Sequence, residues 1–201
     1  LEANGRVSQK GDSDLTFSLA STNAKELQTL AMSFDQVGKF MASLKEKPQL
    51  AGDLSVKGRL TGDLRNPSVD ADVNASSVGL LDEPIGSLTG HLRLTPTDVT
   101  FENGSLAAVN GGSAKFSYTA PRSDTATTGR FDATIDRIPL GTITKVALPF
   151  EIRAVSGDLS GEAHVTGLPA SPQGSATINL VNGTVLGQPA EVATASVLFD
   201  G

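Results

Sequence analysis

A mainly β protein, built as an elongated tandem-repeat antiparallel sheet, is the fold class this sequence predicts, and three observations predict it. Single apolar and polar residues alternate along most of the chain, the period of two that marks half-buried strands. Gly, Ala, Ser, Thr, Val and Leu dominate while aromatic residues are scarce (8 Phe, 1 Tyr, no Trp), which suits short strands with tight turns and argues against a helical bundle. The third observation is an internal repeat: shifted by 105 places, residues 157–199 lie over 52–94 without a gap, with 12 identities in 43 columns. Gly52-Asp53-Leu54-Ser55 meets Gly157-Asp158-Leu159-Ser160, Thr61-Gly62 meets Thr166-Gly167, and Pro67 meets Pro172. Ala71, Asn74, Leu81, Pro84 and Thr89 then meet Ala176, Asn179, Leu186, Pro189 and Thr194. Residues of this kind set turn geometry, so what repeats is backbone shape rather than a reactive centre.

Taken in order, the chain opens with an alternating strand around Leu15, Phe17 and Leu19. Residues 21–31 then read as helix, with Leu27 and Leu30 on one side and Ser21 or Asn23 as N-cap. A second helix is expected over 34–44, where Phe34, Val37, Phe40, Met41 and Leu44 recur at helical spacing until Pro48 stops it. From Leu50 onward strand and turn take over. Leu54, Val56, Leu60 and Leu64 share one parity; after Asn66-Pro67 it flips to Val69, Ala71 and Val73, with Asp70, Asp72 and Asn74 opposite. Further alternating runs carry Leu88, Leu92 and Leu94, then Val99 and Phe101, then Ala114, Phe116 and Tyr118, and Asn110-Gly111-Gly112 reads as a hairpin turn.

At 201 residues the chain is long enough for one or two domains and a real core. Residues 120–129 are polar and poor in structure formers, and mark the internal boundary. Beyond them Phe131, Ala133 and Ile135 alternate as Leu15, Phe17 and Leu19 do, and Leu140, Ile143 and Val146 stand roughly where Leu27 and Leu30 stood. The chain thus divides into a first β repeat unit, 1–120, with a helical insertion near 21–47, and a second, truncated unit, 121–201. Strands with one apolar face cannot bury it alone, and stacking one unit on the next extends a continuous apolar surface. The pattern leaves open whether that surface closes on a filled interior or lines a groove.

A net charge of −6 and a pI near 4.9 weigh against nucleic acid, which needs a basic surface. The absence of Cys excludes a disulfide framework and thiolate metal sites. No run of about 18 apolar residues is long enough to span a bilayer as a helix. Beginning at Leu1 and stopping just after the apolar run 197–199, the sequence reads as a piece of something longer.

No constellation for catalysis stands out. His91 and His164 fall in strand-like runs at non-equivalent places in the repeat and read as solvated strand residues rather than metal ligands. Asp70 and Asp72 share a strand face, but the second unit has Ser175 and Thr177 there, so a solvent-facing polar edge is the better reading than an acid–base pair or cation site. Asp12-Ser13-Asp14 lacks the Gly and downstream Glu of a calcium loop. Neither a Gly-x-Ser-x-Gly elbow nor a phosphate-cradling Gly-x-x-x-x-Gly-Lys is present. Asn74, Asn103 and Asn182 head N-glycosylation triplets of a kind that chance supplies often. The helix expected over 34–44 has two readings: it packs on an open end of the sheet, or Phe34, Phe40 and Met41 line or plug an apolar groove. Lys39, Lys45 and Lys47 beside it would suit lipid head groups, with Glu46 diluting their charge.

The phrase Gly-Asp-Leu-Ser, then Thr-Gly, then a proline turn, alternating residues and Leu-x-x-Pro, at 52–84 and 157–189, resembles the repeats of the AsmA-like/TamB superfamily. Asp136-Arg137-Ile138-Pro139-Leu140 resembles the segment that often precedes such a repeat. The resemblance implies a bacterial envelope protein anchored in the inner membrane and crossing the periplasm. Its repeats would form a long β-sheet curved into an apolar groove, an open β-taco or β-helix-like arrangement. It also implies a non-enzymatic role, without cofactor or metal, in moving phospholipid or assisting outer-membrane proteins, with an outer-membrane β-barrel as partner. On that reading the groove lining would include Leu54, Val56, Leu60, Leu64, Leu92, Leu94, Phe116, Phe131, Ile135, Leu159, Val165 and Ile178. Phe34, Val37, Phe40, Met41 and Leu44 would form a helical lid or packing element. Two further classes stay in view: a structural stalk or adhesin repeat with a filled core, and an enzyme domain. Exposed strand edges would also allow two copies to pair as a dimer.

Overall fold

Antiparallel pairing of sequence neighbours builds the whole architecture. The computed structural model describes residues 1–8, 11, 13–22, 50–80, 83–122, 128–140, 155–168, 171–185 and 188–201. They form β1 (Glu2–Arg6), β2 (Ser13–Ser21), β3 (Leu50–Ala51), β4 (Leu54–Gly62), β5 (Ser68–Leu80), β6 (Glu83–Leu94), β7 (Asp98–Ala108), β8 (Ser113–Pro121), β9 (Gly129–Pro139), β10 (Val155–Leu168), β11 (Gln173–Val185) and β12 (Gln188–Asp200). All twelve belong to one sheet in chain order, β1-β2-β4-β5-β6-β7-β8-β9-β10-β11-β12, with β3 paired to β5 off that path. β1 and β12 are not partners, so the sheet is open and groove-like rather than closed into a barrel. The mainly β, antiparallel class expected from the alternation is the class that forms. Both helices expected in the first unit, and the lid residues Phe34, Val37, Phe40, Met41 and Leu44, lie outside the described residues, apart from Ser21, which closes β2, and Thr22, which follows it in a bend.

Short polar turns make the reversals from β4 to β5, from β6 to β7 and from β7 to β8. Between β4 and β5, Asn66 N donates to Asp63 O at 2.9 Å, and Asp63 Oδ1 accepts from Arg65 N at 2.9 Å, an Asx turn that hands over to Pro67. Between β6 and β7, Thr95 Oγ1 accepts from Asp98 N at 2.9 Å while Thr95 N donates to Asp98 O at 2.8 Å. The expected Asn110-Gly111-Gly112 turn joins β7 to β8, with Gly111 N donating to Ala108 O at 3.1 Å.

The repeat extends to the register of most pairs. Leu54 faces Ala75, Val56 faces Val73 and Leu60 faces Val69; 105 residues later, Leu159 faces Leu180, Gly161 faces Ile178 and Val165 faces Gly174. The next ladders match as well: Val69 with Leu94 and Ala75 with Leu88, against Gly174 with Phe199 and Leu180 with Ala193. The strand before them follows suit, because Leu15, Phe17 and Leu19 on β2 meet Leu60, Gly58 and Val56, as Phe131, Ala133 and Ile135 on β9 meet Val165, Ala163 and Gly161. The two units are continuous across residues 120–129, since β8 pairs with β9 from Ser113–Asp136 to Thr119–Arg130.

Register shifts punctuate the ladders. Several fall beside Asn103 (φ 53°), Arg137 (φ 49°) and Asn182 (φ 52°), three non-glycine residues in the left-handed region, and others lie between Ala75 and Gly79 and between Thr166 and Leu168. Each adds an unpaired residue that bends its strand and deepens the twist, which is how a long sheet acquires curvature.

Candidate functional site

Following one residue across the registers draws a single apolar row. Phe17, Gly58, Ala71, Leu92, Phe101, Tyr118, Phe131, Val165, Gly174 and Phe199 succeed one another from β2 to β12. Two residues along lies the row Leu19, Val56, Val73, Gly90, then Phe116, Ala133, Ala163, Ala176 and Val197 beyond the β7 bulge. Because side chains alternate across a strand and paired residues share a face, these rows cover one side of the sheet. At about 4.8 Å per strand step, the ten strands from β2 to β12 carry it for roughly 43 Å.

Of the residues singled out as groove lining, Leu54, Val56, Leu60, Leu92, Leu94, Phe116, Phe131, Ile135, Leu159, Val165 and Ile178 all fall on this face by register. Leu64 does not. It sits past the end of β4 in the turn before Pro67, 45% exposed, because the parity that links it to Leu60 ends at Gly62. Most of the face is half-buried: Val165 is 7% exposed and Ile178 40%. Among the described residues, one sheet forms and no second sheet layer covers it.

Aromatic rings concentrate in the middle. The Phe101 and Phe116 rings stack with centroids 5.6 Å apart, and Phe116 and Phe131 follow at 6.5 Å, tilted by 35°. Glycines make room for them: a side chain on Gly90 would overlap the Phe101 ring, and one on Gly104 would press on Phe116. Phe17, Phe101 and Phe199 were not picked out by parity as lining residues. A row across strands becomes visible only once the registers are known.

From β2 to β10 the opposite face is polar and charge-paired, whereas on β12 it exposes Val192 and Leu198. Arg59 grips Asp14 through Nε (2.7 Å) and Nη2 (2.5 Å), and Arg93 reaches Asp70 at 3.5 Å. His91 lies between two carboxylates, Nδ1 at 2.9 Å from Asp72 Oδ1 and Nε2 at 3.2 Å from Asp70 Oδ1. The hydrogen bond to Asp72 raises its pKa above the ordinary histidine value, with Asp70 adding to the effect against partial desolvation. Arg130, at 2.5 Å, and then His164, at 2.9 Å, lower the Asp132 carboxyl to about 2. The carboxylates of Asp70 and Asp72 are therefore partners of a histidine, and among the described residues no group of three or more His, Cys, Asp or Glu is arranged to hold a metal ion.

One open depression of about 650 Å³ lies at the end of β2, β4 and β5, lined by Ala20, Ser21, Thr22, Asp53, Leu54, Ser55, Asn74 and Ser76. Among the described residues that lining holds one carboxylate, Asp53, with no histidine, cysteine or lysine. What the apolar face can do chemically is shield methylenes and rings from water. Among the described residues no helix is long and apolar enough to cross a membrane. Searches against protein-family models, curated proteins and solved structures found no match to this chain.

Proposed function

We propose that this chain is a non-enzymatic module that shields apolar chains, phospholipid acyl chains or the strands of outer-membrane proteins, on the open apolar face of its sheet. The observation that carries the reading is the continuous row from Phe17 to Phe199, largely apolar and mostly half-buried, with no second sheet layer over it among the described residues. Each methylene moved from water onto such a face gains about 0.8 kcal/mol, so a flexible chain lying across several strands is held without any directional contact. The resemblance of 52–84 and 157–189 to AsmA-like/TamB repeats supports placing the module in the periplasm, within a protein anchored in the inner membrane that serves outer-membrane lipid transport or protein assembly, with an outer-membrane β-barrel as partner.

Native mass spectrometry with lipid extraction, on protein purified without harsh detergent, tests this directly. Retained phospholipid at a defined stoichiometry is the expected result. Leu60→Asp and Ile178→Asp abolish retention, and Ile178, already 40% exposed, tolerates the change without unfolding. Thr177→Asp, one residue away on the polar face, leaves retention intact. Folded protein that retains no lipid and binds no fluorescent acyl probe would instead favour a structural stalk whose core its own side chains fill.

A further inference from the structure

We propose that Asn110 is a covalent modification site, where the side-chain amide closes on the Gly111 nitrogen and reopens as isoaspartate. The sequence holds four Asn-Gly pairs, at 4–5, 103–104, 110–111 and 182–183. Asparagine amides are thermolabile, and a following glycine leaves its nitrogen unhindered. The same step is open to all four in chemical terms. The glycine nitrogen gives up its proton and bonds to the asparagine Cγ, and the side-chain nitrogen takes a proton and leaves as ammonia. Water then opens the cyclic imide at one of its two carbonyls. Opening at one gives aspartate, and opening at the other routes the backbone through Cβ. Nothing is oxidised or reduced.

Geometry separates the four. Closure requires the Asn-Gly peptide to rotate until its nitrogen faces Cγ, and strand pairing resists that rotation. Asn4 and Gly5 pair with Thr16 and Leu15 between β1 and β2, and a side chain on Gly5 would overlap the Asp14 carbonyl. Asn103 and Asn182 are held at bulges, and the glycines after them are buried, Gly104 against the Phe116 carbonyl and Gly183 against that of Ser156. Asn110 alone of the four lies outside a strand, in the turn from β7 to β8. Val109, Asn110 and Gly111 are exposed, and a side chain on Gly111 would meet nothing within 4 Å. A turn hydrogen bond from Gly111 N to Ala108 O, at 3.1 Å, holds the peptide, so its opening is local and cheap.

The effect falls on the joint between the two repeat units. Gly112, next in the turn, packs against the Asp136 and Arg137 carbonyls of β9, where a side chain would overlap backbone. A turn lengthened by one methylene has no slack there, so isoaspartate at position 110 loosens β8 from β9 near the Ser113–Asp136 pair.

Ageing the intact 201-residue chain at mildly alkaline pH, folded and in urea, tests this, with isoaspartate located by peptide mass spectrometry and an isoaspartate-specific methyltransferase. In the folded chain Asn110 should convert about tenfold faster than Asn4, Asn103 or Asn182, the ratio that a difference of about 1.4 kcal/mol in opening gives. In urea the four rates should converge. The aged fraction, separated by its added charge, should exchange the amides of β8 and β9 faster than equally aged Asn110→Gln, with β2, β4 and β5 unchanged. Equal rates in the folded chain, a faster site elsewhere, or an advantage of Asn110 that persists in urea overturns the assignment. Unchanged exchange in β8 and β9 overturns the loosening of the joint.

Discussion

Gly52 and Gly157 show how a single residue can be dictated by its neighbours. Their φ angles are +108° and +130°, and each packs its Cα against the following strand: a side chain on Gly52 would overlap the Ser77 carbonyl, and one on Gly157 would come within 2.7 Å of Gly183 Cα. Gly52→Ala and Gly157→Ala each combine a disfavoured backbone with a backbone overlap, and each is expected to cost about 1–3 kcal/mol in chemical denaturation. His91 offers a residue-scale prediction of a different kind. Asp70 and Asp72 face it from β5, Glu102 stands opposite on β7, and Arg93 is on its own strand. Its folded pKa is raised, so its contribution is fully present below about 6.5, the ordinary value for histidine, and is lost as pH rises through the folded value. Asp132 behaves in the opposite sense: with its pKa lowered to about 2, its contribution is present above the ordinary 3.8 and disappears as pH falls toward 2. Melting curves of the parent and His91→Gln should therefore converge as pH rises above 6.5 and differ most between about pH 4 and 6. A constant gap across pH would contradict the arrangement. The effect will be modest, since pairs this exposed contribute at most about 1 kcal/mol.

At the scale of elements, turns and bulges differ in how openly they are written. The turns at Asn66-Pro67 and Asn110-Gly111-Gly112 are legible because proline and glycine restrict or widen the backbone whatever surrounds them. The bulges are not. Asn103 and Asn182 are unremarkable in a list of residues, and Arg137 is a poor candidate for the left-handed region; only the pairing on both sides forces them there. Asn103→Val is expected to destabilise by about 1–2 kcal/mol, because a β-branched side chain resists positive φ, while Asn103→Gly should be close to neutral. Comparing the two by urea denaturation checks that conformation, rather than the lost amide, is responsible. Beyond such an inserted residue odd and even exchange faces, so parity cannot be carried from Val99 and Phe101 through Asn103 to Ser105 and Leu106.

Considered whole, the molecule is quasi-one-dimensional. Each described strand on the ladder path packs against its neighbours in chain order, so its stability is expected to be a sum of local terms. Val165→Ala, at a residue only 7% exposed on β10, should cost about 1–2 kcal/mol and lower amide protection in β9, β10 and β11, leaving β2, β4 and β5 nearly unchanged. Uniform loss of protection across the sheet would indicate a single cooperative core instead.

The sequence by itself determined the strand class, the turns and the offset of the repeat, because alternation, glycine and proline act over a few residues and need no partner to be read. Even the equivalence of Phe131, Ala133 and Ile135 with Leu15, Phe17 and Leu19 was visible before any register was known. Tertiary structure alone decided which residues share a row, that Leu64 leaves the apolar face, that His91 lies between Asp70 and Asp72, and that β1 and β12 do not pair with each other. Those are relations between strands. They depend on register, and register is set by hydrogen bonding and side-chain packing across segments whose spacing along the chain does not specify it.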